Sequence, residues 1–415
     1  MDNLNNIDRG KLRISVTSEN GYLPISNAKI EIASTGNPNI LLEELETDSS
    51  GTSDTITLDA PPVEYSMSPG DNQPYSEYNI RITAPEFEEQ LLSGVQILSG
   101  ETALQSINLN PQTTDINVYN PIVIAGHTLW EVYPPKIAES EIKPINESGE
   151  IVLRKVVIPE TIVVHDGVPG DPTATDYYVS YLDYIKNVAC SEIYSTWPES
   201  TIQANVLAIM SFTLNRVYTE WYRNKGYNFT ITSSTAYDHK WIYGKAIYDK
   251  VSQVVDSLYN NFLSRPNVKQ PILTQYCDGK RVTCPNWMSQ WGSKELGDDG
   301  FSAVDILRYY YGSDMYINTA EIVSGIPSSF PGYNLTIGSS GDAVIQIQEQ
   351  LNRIAQNYPA ITPISVDGIF GSGTENAVKQ FQRIFNLPVS GIVDYPTWYK
   401  ISQIYVGVSR IAELT

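Results

Sequence analysis

The chain has 415 residues and a formal net charge of −20, from 47 acidic and 27 basic side chains. That length predicts two to four domains with real hydrophobic cores. The acidity lies mainly in residues 1–112 and no Lys/Arg cluster occurs, so neither nucleic acid nor an anionic membrane surface is expected as main partner. No stretch of 18 apolar residues is present, which predicts no membrane span, and Met1–Asn6 shows neither the basic nor the apolar region of a secretion signal. Three cysteines, Cys190, Cys277 and Cys284, are too few for a disulfide framework. Free thiols are the favoured reading. A Cys277–Cys284 bridge, or half a zinc site completed by His239, are the alternatives, and the spacing is weak for a metal. No cofactor and no metal are expected.

Residues 10–110 alternate as short strands: Leu12/Ile14/Val16, Ala28/Ile30/Ile32, Ile56/Leu58, Tyr78/Ile80/Ile82, Val95/Ile97 and Leu104/Ile107/Leu109. Turn signals such as Asp48-Ser49-Ser50-Gly51 separate them. The pattern predicts an all-β sandwich over residues 1–112. It resembles the carboxypeptidase regulatory-like domain in Pro24-Ile25-x-x-Ala28-x-Ile30 and Thr47-Asp48-x-x-Gly51, a resemblance that implies a fold and no activity. Residues 113–164, with Pro134-Pro135-Lys136, Pro144 and Pro159, read as a linker or propeptide region, with further strands at 151–153 and 156–158 as an option.

Residues 165–333 predict an α+β domain. Tyr181, Leu182, Ile185 and Val188 recur at helical spacing, and Ile202, Val206, Ile209, Thr213, Val217 and Trp221 mark a second, longer stripe. Between them runs Ser191-Glu192-Ile193-Tyr194-Ser195-Thr196-Trp197-Pro198-Glu199. Thr196 and Glu199 have the spacing of a capping box, with Pro198 in the first turn and Gly226 as the helix end. Glu199 thereby has a structural duty and Glu192 has none, which makes Glu192 the candidate catalytic acid, its pKa raised by burial beside Tyr194 and Trp197. A solvated loop glutamate is the plain alternative. Downstream, 227–232 and 271–276 read as strands, 246–263 as an amphipathic helix, and 303–311 as a short helix. Tyr276, Ser289, Gln290 and Trp291 are candidate sugar contacts, although Trp291 also suits a core and Ser289 also suits a turn cap. Asp278 is the best second carboxylate.

Residues 334–415 predict a three-helix module. Val366-Asp367-Gly368-Ile369-Phe370-Gly371-Ser372-Gly373-Thr374 is echoed by Val389-Ser390-Gly391-Ile392-Val393-Asp394-Tyr395-Pro396-Thr397, each a tight turn with a Thr placed as N-cap. The unit resembles the peptidoglycan-binding type 1 domain, with Asp367, Gly368, Phe370, Thr374, Phe381 and Gln382 at motif positions. That resemblance implies wall glycan as the partner.

The middle domain is similar to the stage II sporulation protein D family of lytic transglycosylases, carried by Glu192 between a helix and a Trp-Pro-started helix and by Ser289-Gln290-Trp291-Gly292. Met210 stands where many members carry an arginine, so that side chain's electrostatic role is absent or relocated. With its flanking domains the whole chain resembles the clostridial spore cortex-lytic enzymes of the SleC type. The resemblance implies a spore-located proenzyme, activated by a subtilisin-like germination protease. It would cleave the MurNAc-GlcNAc bond of cortex peptidoglycan with Glu192 as sole acid and base. A muramidase, an amidase and a non-catalytic wall-binding protein are the competing readings.

Overall fold

The computed structural model describes residues 7–18, 21–112, 121–143, 153, 155–322, 331 and 333–409. The secretion-signal reading at 1–6, the strand option at 151 and 152, Pro144 and the tail from 410 lie outside these residues. Two compact units emerge, one joining Pro61–Pro74 to Ala125–Ser329, the other joining Ile7–Ala60 and Tyr75–Ile124 to Phe330–Thr415.

In the second unit the N-terminal alternation becomes two sheets. The strand Asp8–Ser18 pairs parallel with Thr102–Asn108 and antiparallel with Ile56–Ala60 and Leu23–Pro24. The other sheet runs in the order Leu41–Glu46, Lys29–Ser34, Ser76–Thr83, Gln90–Ile97 and Ile122–Val123. Period-two burial puts Leu12, Ile14, Val16, Ile30, Ile32, Ile80 and Ile82 fully inside. Leu41–Glu46 carries no alternation, exposes Leu41 and Leu42 at the sheet edge, and so gave no strand signal.

The same unit contains the helices Asp342–Ala355, Ser372–Ile384 and Tyr395–Ser409, packed over Leu335, Val344, Leu351, Phe370, Phe381 and Trp398. Thr374 is not an N-cap: Gly371 caps the helix, and the Thr374 hydroxyl accepts from Gln348 Nε2 at 3.1 Å. Gln348 Oε1 meanwhile takes the N–H groups of Asp367 and Gly368, at 3.0 and 2.9 Å. One step later Gln382 does the same, with Nε2 to Thr397 Oγ1 at 3.2 Å and Oε1 taking Gly391 N–H at 2.8 Å. Gly368 and Gly391 both have left-handed φ, +71° and +74°, the conformation that glycine tolerates at no steric cost. The sequence echo is therefore one buried amide holding one glycine turn, built twice.

The first unit is organised on the helix Glu199–Tyr218, buried on nearly every side. Around it stand the helices Tyr181–Glu192, Asp249–Leu258, Gln290–Asp298 and Ala303–Tyr311. A small sheet, Asp176–Ser180 beside Thr161–His165 beside Ile231–Thr232, leads into the first of them. Several expectations shift. The helix expected over 246–263 spans Asp249–Leu258, and Asn261–Ser264 is instead a strand paired with Tyr316–Thr319. Of 271–276 only Tyr276 joins a strand, Tyr276–Cys277, parallel to Met288–Ser289. The central helix ends at Tyr218, leaving Trp221 beyond it, and Gly226 closes the short turn Arg223–Lys225. Its capping box does not form: Pro198 is the N-cap, Thr196 Oγ1 pairs with Ser66 Oγ at 2.8 Å, and Glu199 accepts from Gln203.

The stretch read as linker is packed chain over 121–143. Ile137 N–H donates to Ala236 O at 2.7 Å, Glu139 N–H to Gln275 Oε1 at 2.9 Å, and Leu273 N–H to Glu141 O at 3.1 Å. Its prolines exclude regular elements without preventing these contacts.

Candidate active site

Ser180 caps the helix Tyr181–Glu192, its hydroxyl accepting from Asp183 N–H at 3.2 Å. The helix stops at Glu192 because Ile193 turns to extended backbone. This places the Glu192 carboxyl at the helix end, 3 % exposed. Lys240 N–H donates to Oε1 at 2.6 Å, the Tyr276 hydroxyl donates to Oε2, and Gln290 Nε2 donates to the Glu192 carbonyl at 3.1 Å. Burial raises the Glu192 pKa from its ordinary value, and the nearby Lys136 charge, the Lys240 amide and the Tyr276 hydroxyl pull partly against it. Burial, then the Glu192 charge, drives the Tyr276 pKa well above the phenol range, so Tyr276 keeps its proton and donates it as a hydrogen bond.

Lys240 is positioned from below. Asp238, wholly buried, accepts from Arg216 Nε at 2.7 Å, Tyr222 OH at 2.5 Å and Thr232 N–H at 2.9 Å. Arg216 also grips Glu139 through two N–H groups, at 2.6 and 3.1 Å. Burial opposes ionisation of Glu139, yet Arg216 and Lys143 hold its carboxyl down to about 2. Met210 is buried and apolar; the buried guanidinium of this helix is Arg216. His239 donates or accepts at Nδ1 with Tyr184 OH, 3.1 Å away, and lies parallel to Tyr276 at 5.8 Å. Burial first, then the charges of Lys136 and Arg216, keeps His239 neutral.

The other expected residues divide by role. Ser289 caps the helix Gln290–Asp298, accepting from Gly292 N–H at 2.9 Å, and Gln290 holds the Glu192 backbone. Trp291 is 4 % exposed and packs on Trp197 at 5.0 Å and Tyr194 at 6.1 Å, an aromatic core beneath the elbow. Asp278 is spent on its own loop, accepting from Arg281 N–H and Val282 N–H, each at 2.9 Å. That loop is closed by a Cys277–Cys284 disulfide, which corrects the free-thiol reading for these two and takes both sulfurs from any zinc site; Cys190 is buried outside any disulfide, its sulfur accepting from Tyr248 N–H at 3.3 Å. Among the described residues no group of three His, Cys, Asp or Glu could hold a metal, and no helix is long and apolar enough to cross a membrane. Lys136 and Lys240 were missed because one lies in a Pro-rich stretch and the other meets Glu192 through its backbone N–H; His239 was named only as a possible zinc ligand.

In the C-terminal module a cleft of about 480 Å³ is lined by Gln348, Ser365, Asp367, Thr374, Asn376 and Lys379. Phe370 and Phe381 are core instead, both 0 % exposed, and Gly368 and Gln382 serve the turns.

Residues 340–401 match the family described as "Putative peptidoglycan binding domain", and the chain thus carries a peptidoglycan-binding domain. It is weakly homologous to a spore cortex-lytic enzyme of Bacillus cereus, 29 % identical over 94 residues, 23 % of this chain and 34 % of the relative. It is also 41 % identical over 71 residues to the zinc D-Ala-D-Ala carboxypeptidase of Streptomyces albus G, covering 17 % of this chain and 26 % of that protein. The chain thus spans about a third or less of these relatives' length. A crystal structure of the SleB N-terminal domain aligns at 32 % identity and TM-score 0.17, over 19 % of this chain and 99 % of that one.

Proposed function

We propose that the chain is a spore cortex peptidoglycan-lytic enzyme, made as a proenzyme. It cleaves the MurNAc-GlcNAc bond by lytic transglycosylation, with Glu192 as its single acid and base. The observation that carries the reading is the state of the carboxylates: Glu192 is buried with its pKa raised, while Asp278, Asp238 and Glu139 are each engaged by other partners. Hydrolytic glycosidases ordinarily need a second carboxyl to act on water or on the sugar. A transglycosylase does not. Protonated Glu192 donates to the bridging oxygen as the C1–O bond breaks. Its carboxylate then removes the proton of the MurNAc 6-hydroxyl, whose oxygen bonds to C1 and closes a 1,6-anhydro ring without consuming water. The intramolecular hydroxyl supplies an effective molarity that water lacks.

On this reading Tyr276 orients the acid, the Ser289-Gln290-Trp291 element builds the floor behind it, and the C-terminal cleft holds the wall. A subtilisin-like germination protease is the proposed activator, and the spore the proposed location. The test is muropeptide mass spectrometry after digestion of peptidoglycan by the activated chain. Anhydro-muramic ends are expected, and Glu192→Gln should reduce their release about 10²–10⁴-fold with wall binding intact. Reducing ends would favour a muramidase, free peptide stems an amidase, and unchanged lysis by the Gln variant would remove Glu192 from the chemistry.

A further inference from the structure

The helix Tyr181–Glu192 fixes more than the acid at its end, because it bonds the loop 240–243 at two points. Lys240 N–H donates to Glu192 Oε1 at 2.6 Å. Earlier on the helix, buried Asn187 clamps Ile242 from both sides of its amide, Nδ2 donating to the Ile242 carbonyl at 2.8 Å and Oδ1 accepting from the Ile242 N–H at 2.9 Å. A buried amide satisfied in both directions holds that backbone in one place. The residues on either side of Ile242, Trp241 and Tyr243, are thereby set at a fixed spacing from the acid.

Both meet a third ring, Tyr177, from the strand Asp176–Ser180 that feeds the same helix. Tyr177 stacks on Tyr243 at 4.7 Å with 22° between the planes, and Trp241 lies 5.0 Å from Tyr177 and 6.2 Å from Tyr243. Packing alone does not account for the cluster. Trp241 is sealed at 4 % exposure, whereas Tyr177 is half-buried and Tyr243 is 46 % exposed. Tyr177 covers one face of the Tyr243 ring, which leaves the far face to solvent. Three residues of chain separate Tyr243 from Lys240, so their Cα atoms lie within about 11 Å, a gap that a glycan strand cut at Glu192 spans. An aromatic face suits the apolar C–H face of a sugar ring, and the phenol hydroxyl suits its polar rim. A nucleic-acid base would stack as well, but a net charge of −20 repels its phosphates.

We propose that Tyr243 is a stacking platform for one sugar ring of a glycan strand, set off from the bond that Glu192 cleaves, with Tyr177 behind it, Trp241 beside it and Asn187 fixing its distance from the acid. The inference rests on reading Glu192 as the acid of a glycan-cleaving site, and its test separates the two. The full chain carrying Glu192→Gln is titrated with chitotetraose, a soluble β-1,4-linked N-acetylglucosamine oligomer, and amide hydrogen exchange is read peptide by peptide. Tyr243→Phe keeps the ring, Tyr243→Leu keeps an apolar side chain on Trp241 without a flat face, and Tyr243→Ala removes both. Release of glycan ends from peptidoglycan by the activated chain is measured beside it, with Glu192 and with Gln at that position.

Chitotetraose should slow exchange over 240–245, and the concentration for half the effect should rise about tenfold in the Leu and Ala variants. The Phe variant should match the parent. Slowing confined to 362–383, the cleft of the C-terminal module, overturns the platform. So does a Leu variant that binds like the parent, a comparison that stands even where the Ala variant is unstable. Slowing over 240–245 together with undiminished release of ends by Glu192→Gln keeps the platform and overturns Glu192 as the acid. Loss of release in Glu192→Gln with no slowing over 240–245 keeps the acid and overturns the platform.

Discussion

Gln348 and Glu192 are both polar side chains sealed inside a unit, 1 % and 3 % exposed, and they are built to opposite ends. Gln348 is neutral and saturated: its oxygen takes two backbone N–H groups, and its nitrogen gives to Asp367 Oδ1, Ile369 O and Thr374 Oγ1. It has no proton to move, so it can only fix a turn. Glu192 has a proton to gain or lose, feels the charges of Lys136 and Lys240, and is held by donors that suit its charged form while burial disfavours that form. A satisfied amide specifies geometry. A buried carboxyl under opposing influences holds chemistry ready, at a cost to stability.

The comparison breaks most visibly at Arg216. Arg216→Met leaves Asp238 and Glu139 without their shared cation, and an uncompensated buried charge costs about 3–5 kcal/mol; urea unfolding should show it, with the 238–240 loop displaced from Glu192. A loss below about 1 kcal/mol would mean that the network is not what holds Lys240. Next come the two amides. Gln348→Ala and Gln382→Ala each strand buried backbone groups and should each cost about 1–3 kcal/mol. Their wall binding should differ, because only Gln348 lines the 480 Å³ cleft. Sedimentation with peptidoglycan should therefore fall for the first variant and hold for the second; equal losses would erase the distinction.

The smallest effect is the pH dependence of Glu192 itself. Its folded pKa is raised, so the stability that proton binding contributes is fully present below the ordinary carboxylate range and is lost as pH rises through the raised value. Glu192→Gln should accordingly raise Tm at pH 8 and change it little at pH 4. A gain that is the same at both would place the carboxyl in a solvated setting.

Glu192 was legible in the sequence because helix periodicity stopped on one side of it and restarted on the other, and because Trp197 and Tyr194 promised burial. The three C-terminal helices were equally plain from Val344, Ile347 and Leu351 and from Ala377, Val378 and Phe381, where side chain and period agree. What was hidden depends on distance along the chain. Thr196 has the spacing of a cap but spends its hydroxyl on Ser66, and Lys136 sits in a proline-rich run whose contacts lie about 100 residues downstream. The Cys277–Cys284 bridge was hidden for a simpler reason: spacing alone does not distinguish a bridge from two thiols.

The Tyr358 hydroxyl donates to the carbonyl of Tyr22 at 2.7 Å, and Tyr22 and Leu23 pack against the C-terminal helical core. The earliest and latest parts of the described chain thus belong to one unit. A single break in the backbone between residues 143 and 155 would cut the chain without undoing these contacts. The N-terminal fragment would stay seated on the C-terminal helices through Tyr22 and Leu23. On the proposed proenzyme reading, cleavage is therefore followed by a dissociation step with its own rate.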